Sequence, residues 1–364
     1  MSNDPREAAW HLTGKAVGEG WNVLDRLPNS RTDQNLGKTG GTFSVGYNVE
    51  RNGANAFLKV FDIIYAFDPS RNMFDALNQI RGSYHHEKAL LDLCTTGHMS
   101  RVVKILDHGE IPVPFPLSHD PNYTVPLFFI VFERADGGDI RDIFNQFDQV
   151  SDAIKLEYLH HVAVGIQQLH QASISHQDLK PSNVVIFKES GHGAKLADFG
   201  RALKRGMDAQ HEHLPFAGDA AYAPPEQLYD HRATDWRERR EACDLYHLGS
   251  LVSFLFSGKN ATAGTIEFLP VDIRPGQWKG SYEDVLPLVQ QAFAQFLMSI
   301  RQSLPEWARD QLEQFIGLSC EPDVYRRGDP RARAQVGKPL GIDRFISRLN
   351  SLRSEARRRL KLRP

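Results

Sequence analysis

Residues 176–183 read HQDLKPSN, and the triplet DFG follows at residues 198–200, about twenty residues after Asp178. This short span holds a carboxylate, a lysine and two further oxygen-bearing side chains, Asn183 and Asp198. A hydrophobic core needs no such set, whereas moving a phosphoryl group from a metal-bound nucleotide needs a base, a cation and metal ligands. We therefore expect a fold that brings these side chains together at one site.

The composition is that of an ordinary globular protein, and 364 residues allow one large domain or two medium-sized domains with a substantial core. The formal net charge of −2 gives no general attraction to nucleic acid or to a membrane. Three cysteines lie far apart without a Cys-x-x-Cys pair. This usage favours a reducing compartment over a disulfide framework or a structural zinc site.

The longest apolar stretch of the sequence, LYHLGSLVSFLF, is too short to span a bilayer and contains a histidine. We expect it to be a buried helix of a cytoplasmic protein that does not contact membranes. The basic stretch at residues 348–364 has two interpretations. It is either a solvated terminal tail or a segment that binds nucleic acid or another anionic partner.

The first part of the chain has the pattern of β-structure. The runs FSVGYNVE and AFLKVFD flank Arg-Asn-Gly at residues 51–53, which predicts a hairpin. A helix is predicted over residues 71–95, and strands are predicted over RVVKILDHGE and PLFFIVFE. The proline-rich stretch at residues 111–126 is predicted to be a loop. Residues 1–20 give only a weak helical pattern.

After residue 138 the pattern becomes mainly helical. Apolar residues recur at helical spacing over residues 152–171, and a terminal helix carries Phe345 and Leu349 on one side. This change in pattern predicts two lobes joined by residues 133–139.

Three motifs occur in the order HQDLKPSN, LADFGRA and AYAPPE. In this order they resemble the protein kinase family, and Lys180 within DLKPSN resembles its Ser/Thr branch. The resemblance covers about residues 36–350 and implies an α+β, bilobal protein kinase-like fold. The implied divisions are an N-terminal extension at 1–35, a small β-rich N-lobe at 36–134, a larger helical C-lobe at 135–347 and a basic C-terminal tail at 348–364.

The residues of the central motifs have distinct chemical roles. Asp178 can accept the proton of an attacking hydroxyl, a general-base contribution typically worth ~10²–10⁴ in rate. Lys180 places a cation where negative charge develops on the transferring phosphoryl group. Asn183 and Asp198 offer oxygen ligands, which suit Mg²⁺ better than zinc. The resemblance thus implies ATP and Mg²⁺ as cofactors.

The resemblance assigns the nucleotide phosphates to Lys59, in AFLKVF, paired with a helix glutamate for which Glu87 is the expected residue. The alternative is that both side chains are solvated. Phe57 stands two residues before Lys59, where the family usually has a small residue that covers the adenine. We therefore expect a nucleotide pocket that is tight or differently shaped.

The resemblance also assigns the residues around the nucleoside. Phe132 would lie at the back of the nucleotide pocket, and the backbone of Glu133 and Ala135 would form hydrogen bonds with the adenine edge. Asp139 follows a few residues later in the sequence. It would accept a hydrogen bond from a ribose hydroxyl, or it is an ordinary solvated loop residue.

The glycine-rich stretch LGKTGGTFSVG has two interpretations. As a lid over the nucleotide, Gly37, Gly40 and Gly41 would let backbone amides approach the phosphates, with Ser44 near the usual place of the third glycine. The spacing does not fit GxGxxG, so an ordinary glycine turn is the alternative. A Walker A loop is excluded because Thr32 stands where that motif needs glycine.

Three acidic residues resemble architectural positions of the family. Glu226, in AYAPPE, needs a buried cation, and Arg327 is the expected partner. Asp244 is expected to hold the catalytic-loop backbone from beneath. Asp219 stands where the family usually carries a threonine, and its carboxylate is expected to pair with Lys180 and to raise the pKa of one nearby carboxyl group.

Gln177 replaces the arginine that the family usually carries before the catalytic aspartate, and residues 201–226 contain no serine or threonine. Without that arginine there is no buried charge for a phosphate to neutralise, and there is no hydroxyl of the usual kind to receive a phosphate. We call residues 201–226 the activation segment. We therefore expect activity that does not depend on phosphorylation of this segment.

These features favour an ATP-dependent protein Ser/Thr kinase that transfers a phosphoryl group to a hydroxyl of a protein substrate. Two alternatives remain open. A kinase-fold interaction module with little transfer activity is suggested by the irregular lid, Phe57 and Asp219. A kinase for a non-protein acceptor is suggested by Asp219 and the basic tail, although AYAPPE and Lys180 resemble peptide-directed kinases.

Overall fold

The computed structural model describes most of the chain. The three glycines of the predicted lid, Gly37, Gly40 and Gly41, lie outside the described residues. The described residues are 5–28, 44–115, 122–145, 150–189, 191–214, 216, 218–337 and 340–361.

The chain divides into two compact units. Unit 1 comprises Met1–His98 and Val103–Asp136, and unit 2 comprises Met99–Val102 and Gly137–Pro364. The chain therefore passes into unit 2 after Asp136, within the segment where the sequence predicts the junction of two lobes.

Unit 1 is built on an antiparallel sheet. Its strands are β1 (Ala16–Val17), β2 (Trp21–Arg26), β3 (Ser44–Arg51), β4 (Ala54–Phe61), β5 (Ile105–Pro114) and β6 (Thr124–Glu133). The strand order is β1-β2-β3-β4-β6-β5. Helix α1 (Met73–Thr96) begins at Asn72, whose side chain accepts hydrogen bonds from the amides of Phe74 and Asp75 and so satisfies free donors of the first turn.

A tight turn joins β3 to β4, as the sequence predicts. Asn52 and Gly53 have φ angles of 54° and 79°, which are the left-handed conformations that a two-residue hairpin turn requires. Because side chains alternate along a strand, Phe57 and Lys59 project from the same face of β4.

The N-terminal residues differ from the prediction of an extension outside the sheet. Residues 16–26 contain β1 and β2, and β2 pairs with β3. Val17, Trp21 and Val23 are buried in the core of unit 1. The sequence pattern is weak here because β1 has only two residues and β2 buries only two of its side chains.

The prediction of a loop over residues 111–126 is wrong at both ends, because β5 continues to Pro114 and β6 begins at Thr124. Pro112 and Pro126 face each other in this ladder. β5 is an edge strand, and the pairing of β6 with β4 begins only further along the chain. Proline is tolerated at such open edges because its missing N–H would not have joined the ladder.

Unit 2 is mainly helical and carries two small antiparallel sheets. The sheets pair β7 (Ile174–Ser175) with β10 (Leu203–Lys204), and β8 (Val184–Phe187) with β9 (Gly193–Leu196). A π-helical turn, Arg237–Glu241, leads into α5. The helices are α2 (Ile140–Asn145), α3 (Asp152–Gln171), α4 (Pro225–Leu228), α5 (Ala242–Ser257), α6 (Ala261–Glu267), α7 (Tyr282–Ile300), α8 (Arg309–Ser319), α9 (Pro330–Arg333) and α10 (Ile342–Lys361).

Two long helices of unit 2 bear on the sequence predictions. Almost every residue of α5 is buried, so LYHLGSLVSFLF is a buried helix as predicted. Helix α10 passes through the predicted boundary at residue 348, and it buries Leu352 and Ala356. Arg357 of α10 also bonds Glu157 of α3 over 2.7 Å, so the basic segment up to residue 361 belongs to a packed helix rather than to a tail.

Membrane insertion is not indicated by the helices. In the described ranges, no helix combines the length and the apolar character that crossing a bilayer requires.

Because His247 of α5 is buried, we expect the protein to lose stability in mild acid. Burial lowers its pKa from 6.5 to about 4, although the Asp244 carboxylate acts in the opposite direction. Because the unfolded chain then binds more protons between these pH values, the free energy of unfolding falls as the pH drops below about 6.5. We expect His247→Gln to reduce this pH dependence in urea unfolding between about pH 7 and pH 5. An unchanged dependence in the variant would contradict the assignment.

Candidate active site

One end of the β8–β9 hairpin brings together the two residues predicted to hold a metal ion. The strands pair with Val184 opposite Leu196, and the amide of Ala197 donates to the carbonyl of Asn183 over 2.9 Å. Asn183 immediately precedes β8, and Asp198 closely follows β9. Backbone pairing therefore makes these residues neighbours although they are distant in sequence.

The Asp178 carboxylate is held by hydrogen bonds on both oxygens. The backbone amide of Asp219 donates to Oδ1 over 2.8 Å, and Nζ of Lys180 lies 3.2 Å from Oδ2. Nδ2 of Asn183 donates to Oδ2 over 3.1 Å and to the Asp178 carbonyl over 2.7 Å. The Asp178 side chain is 9% exposed. Its orientation is therefore fixed, as a general base requires.

The electrostatics of Asp178 favour proton acceptance. Burial raises the pKa of its carboxyl group, and the negative charge of Asp198 acts in the same direction, while the Lys180 ammonium opposes them. Asp219 acts on this group through its backbone amide, which lowers the pKa, and the carboxylate charge that raises the pKa is that of Asp198. A carboxylate with a raised pKa is a stronger base than an ordinary surface aspartate.

Lys180 is shared between two carboxylates. Its Nζ lies 3.2 Å from Asp178 Oδ2 and 3.4 Å from Asp219 Oδ2, which is the pairing expected for Asp219. Burial acts to lower the pKa of Lys180, but the two carboxylates raise it above its ordinary value. Lys180 therefore keeps its positive charge at neutral pH.

Glycine is required at position 218 for this arrangement. A Cβ there would lie 2.5 Å from the Gln177 carbonyl oxygen and 2.6 Å from Asp178 Oδ1. Only a residue without a side chain lets the backbone before Asp219 approach the catalytic loop so closely.

The donor set at Asn183 and Asp198 fits a hard divalent ion. The amide nitrogen of Asn183 is used in bonds to Asp178, so its oxygen, 3.2 Å from the Ser182 hydroxyl, is the potential ligand atom. Asp198 has a φ of 62°, and such left-handed conformations of non-glycine residues concentrate at functional sites. Mg²⁺ needs only one or two protein carboxylates or amides because water and phosphate supply the other ligands.

Within unit 1, Lys59 of β4 and Glu87 of α1 form a buried ion pair. Nζ of Lys59 lies 2.9 Å from each carboxylate oxygen of Glu87. The side chain of Glu87 is 1% exposed and that of Lys59 is 14% exposed, so the alternative in which both are solvated is wrong. A buried carboxylate needs such a cation, and the pair therefore fixes the position of the lysine ammonium.

The residues assigned to the adenine lie on β4, on β6 and directly after β6. Phe57 stands opposite Phe132 in the ladder, with ring centroids 6.2 Å apart. The Glu133 amide donates to the Lys104 carbonyl over 3.1 Å, so an adenine contact at Glu133 would use its carbonyl. Ala135 follows the end of β6.

Asp139 and Ser44 lie at less accessible positions than the sequence suggests. Asp139 is 7% exposed, and its carboxylate accepts from Arg141 Nη2 over 2.6 Å and from Arg141 Nε over 3.0 Å. The interpretation of Asp139 as a solvated loop residue is therefore wrong. Ser44 is buried and begins β3, opposite Phe61.

Comparison with known proteins identifies the family. Residues 101–274, which include both central motifs, match the family model described as the protein kinase domain. Residues 101–274 therefore belong to a protein kinase domain. The α+β, bilobal fold predicted from the sequence is confirmed, with a β-rich unit 1 and a helical unit 2. A protein kinase domain also implies the use of ATP and a divalent metal ion.

Three proteins that are named as Ser/Thr kinases are similar to this chain. The SNF-related serine/threonine-protein kinase of Rattus norvegicus is 28% identical over 181 residues, which cover 48% of this chain and 22% of that protein. Serine/threonine-protein kinase ATG1a of Arabidopsis thaliana is 31% identical over 163 residues, 43% of this chain and 24% of that protein. Serine/threonine-protein kinase RAD53 of Saccharomyces cerevisiae is 23% identical over 263 residues, 68% and 31% respectively. The chain thus spans between a fifth and a third of the length of these relatives.

The chain holds the loop at residues 176–183 on α5 through Asp244, as predicted. The carboxylate of Asp244 accepts from the amides of His176 and Gln177, each over 2.9 Å, and from the Ser175 hydroxyl over 2.8 Å. Nε2 of His170 lies 2.8 Å away. Burial acts to raise the pKa of Asp244, but the hydrogen bond and charge of His170, the Gln177 amide and the charge of His176 together outweigh it and lower the pKa to about 2. The role of His170 is absent from the sequence prediction because no spacing rule links it to Asp244.

The buried ion pair between Glu226 and Arg327 is confirmed. Arg327 donates from Nη1 and Nη2 to the two carboxylate oxygens of Glu226 over 2.7 and 2.6 Å. The Arg327 side chain is fully buried. Burial acts to lower the pKa of Arg327, but the Glu226 carboxylate raises it. This bidentate ion pair connects the end of the activation segment to the stretch of chain that follows α8.

Proposed function

We propose that this kinase transfers the γ-phosphoryl group of ATP to a serine or threonine hydroxyl of a protein. The observation that carries the proposal is the set of bonds around Asp178. One carboxylate oxygen accepts from the Asp219 amide over 2.8 Å, and the other lies 3.2 Å from the Lys180 ammonium. A buried base fixed in this way, next to a cation, has no role in core packing and suits proton abstraction from an acceptor hydroxyl.

Each residue of the catalytic loop has one task in this proposal. Asp178 accepts the proton of the attacking hydroxyl, and its raised pKa makes it a better base. Lys180 offsets the negative charge that develops on the transferring group. Asn183 and Asp198 hold Mg²⁺, which neutralises and orients the nucleotide phosphates when it is bound.

For the nucleotide, we propose that the Lys59 ammonium contacts the α- and β-phosphates and that Glu87 positions it. The backbone at Glu133 and Ala135 binds the adenine edge. A ribose hydroxyl donates to a remaining lone pair of Asp139, because a carboxylate can accept more bonds than Arg141 supplies.

Phosphatase treatment is expected to leave the turnover number of this kinase within about twofold of its starting value. The physical reason is that residues 201–226 contain no serine or threonine and that Gln177 offers no charge for a phosphate to neutralise. Initial rates are compared before and after treatment, with mass spectrometry to report phosphate on the segment. A loss of activity that follows removal of phosphate from Tyr222 would contradict this expectation.

The acceptor class is tested by incubating the kinase with γ-labelled ATP, Mg²⁺ and one of three acceptors: a generic protein, RNA or a small-metabolite mixture. We expect acid-stable label on serine or threonine of the protein acceptor. Label confined to RNA or metabolites would favour the non-protein kinase, and nucleotide binding without transfer would favour an interaction module. An Asp178→Asn sample shows which label depends on the proposed base.

A further inference from the structure

Arg240 is a buried cation that has no carboxylate partner among the residues the structure describes. It lies in the π-helical turn before α5 and is 1% exposed. Burial lowers its pKa to about 10, and its Nε has no hydrogen-bond partner in the described part of the chain. Because an uncompensated buried charge is costly, this side chain needs an explanation other than packing.

The hydrogen bonds of Arg240 connect two segments of the active site. Its Nη1 donates to the side-chain oxygen of Gln177 over 3.1 Å, in the catalytic loop directly before Asp178. Its Nη2 donates to the backbone carbonyl of Glu212 over 2.7 Å, in the activation segment. One guanidinium therefore joins the loop that carries the base to the segment that carries Asp219.

The bond to Gln177 is reciprocal. Nε2 of Gln177 donates to the backbone carbonyl of Arg240 over 2.9 Å and to the Ser175 hydroxyl over 2.6 Å. Both ends of the glutamine amide are thus bonded to buried groups. Gln177 has a φ of 64°, which is unfavourable for a residue with a side chain and persists only where the surroundings impose it.

Two residues of the same helical segment form hydrogen bonds with the catalytic loop. Asp244 of α5 accepts from the backbone amide of Gln177, and Arg240 of the preceding turn bonds its side chain. A π-helical turn shifts residues relative to a regular helix and often occurs at functional sites. An arginine at position 177 would put a second buried cation against Arg240, which gives a physical reason for glutamine at this position.

We propose that Arg240 is a positioning residue that couples the activation segment to the catalytic loop in the unphosphorylated chain. Its guanidinium links the catalytic loop to the activation segment. In a chain with an arginine at position 177, a phosphate on the activation segment would make that link by binding this arginine. This inference rests on the proposed function, since it explains how Asp178 is held ready without phosphorylation. Arg239 supports the same link, because its Nη2 donates to the Glu212 carbonyl over 2.9 Å.

The test compares Arg240→Met, Arg240→Lys and the control Arg237→Met in the full-length chain. Arg237 lies in the same turn, but its side chain donates over 3.3 Å to the carbonyl of Gly337, which belongs to neither segment. We expect Arg240→Met to lower kcat by at least about tenfold while the KM for ATP stays within about twofold. Arg240→Lys retains the charge but lacks the planar fork whose two nitrogens each bond one acceptor, so it should fall between wild type and Arg240→Met. Arg237→Met should match wild type.

Hydrogen exchange measured on the same proteins is independent of activity. We expect amides of residues 174–178 and 209–214 to exchange at least about tenfold faster in Arg240→Met than in Arg237→Met. If Arg240→Met fails to fold, the same comparison is made with Arg240→Lys. Wild-type exchange at both segments together with wild-type kcat would overturn the proposal, as would equal losses in the Arg237→Met control.

The two proposals fail in different ways. A wild-type protein that transfers no label under any condition would overturn the proposed function. In that case faster exchange at both segments in the Arg240 variants would still support the link made by Arg240, and unchanged exchange would overturn it.

Discussion

An Asp178→Asn variant is expected to fold normally and to lose about 10²–10⁴ of the wild-type turnover number. The amide has the size of the carboxylate and can still accept from the Asp219 amide, which now donates over 2.8 Å, but it cannot take up a proton. Initial rates at saturating ATP measure the loss. Calorimetric titration with Mg²⁺ and ATP measures nucleotide affinity, which should stay within a few-fold because the base does not hold the nucleotide.

The matched control for this variant is Asp272→Asn, which makes the same chemical change at an exposed position of unit 2. It should have wild-type turnover. If the Asp178→Asn protein is folded and retains wild-type turnover, Asp178 is not the general base.

An Arg327→Met variant is expected to reduce the free energy of unfolding by ~3–5 kcal/mol, because it leaves the Glu226 carboxylate buried without its cation. Both side chains are almost completely withdrawn from solvent, and the bonds between them are 2.6 and 2.7 Å long. Urea unfolding measured by fluorescence gives the change. The control is Arg326→Met, since Arg326 is the exposed neighbour and its loss should cost no more than about 0.5 kcal/mol.

A double variant separates the charge from the packing at this position. Glu226→Gln combined with Arg327→Met removes both charges, so its stability should recover part of what Arg327→Met loses. If Arg327→Met is no less stable than Arg326→Met, the ion pair does not have the structural role assigned to it.

The catalytic loop could be located from the sequence because its chemistry restricts the residue types. Few residues can supply a base, a cation and hard oxygen ligands, so their order and spacing indicate one site. The pairing of Lys59 with a helix glutamate is implied by the resemblance to protein kinases, and the apolar pattern of the helix favours Glu87, with which Lys59 forms the ion pair. Both residues lie outside the range that matches the kinase family model.

Sequence patterns failed where an element is too short or lies at an edge. Residues 16–26 join the sheet as a two-residue strand and a strand with two buried side chains, which gives no usable periodicity. Prolines at positions 112 and 126 predict a loop, but the open edges of β5 and β6 accept them.

Two contacts at the site are absent from the sequence predictions. The ion pair between Asp139 and Arg141 occupies part of a carboxylate that the sequence suggested for ribose or solvent. Arg240 stands in the charged run RERRE, which has the composition of a solvated helix. Its burial and its bond to Gln177 across 63 residues of sequence are tertiary features that the composition of this run does not indicate.

The most direct test of the account uses ATP labelled in turn at the γ- and the α-phosphate, with Mg²⁺ and a protein acceptor. We expect acid-stable label on the acceptor from γ-labelled ATP only, in amounts that grow with time and are lost in Asp178→Asn. Label from the α-phosphate would indicate nucleotidyl transfer, and folded protein that binds ATP but transfers neither label would show that the Asp178 site is not a phosphoryl-transfer centre.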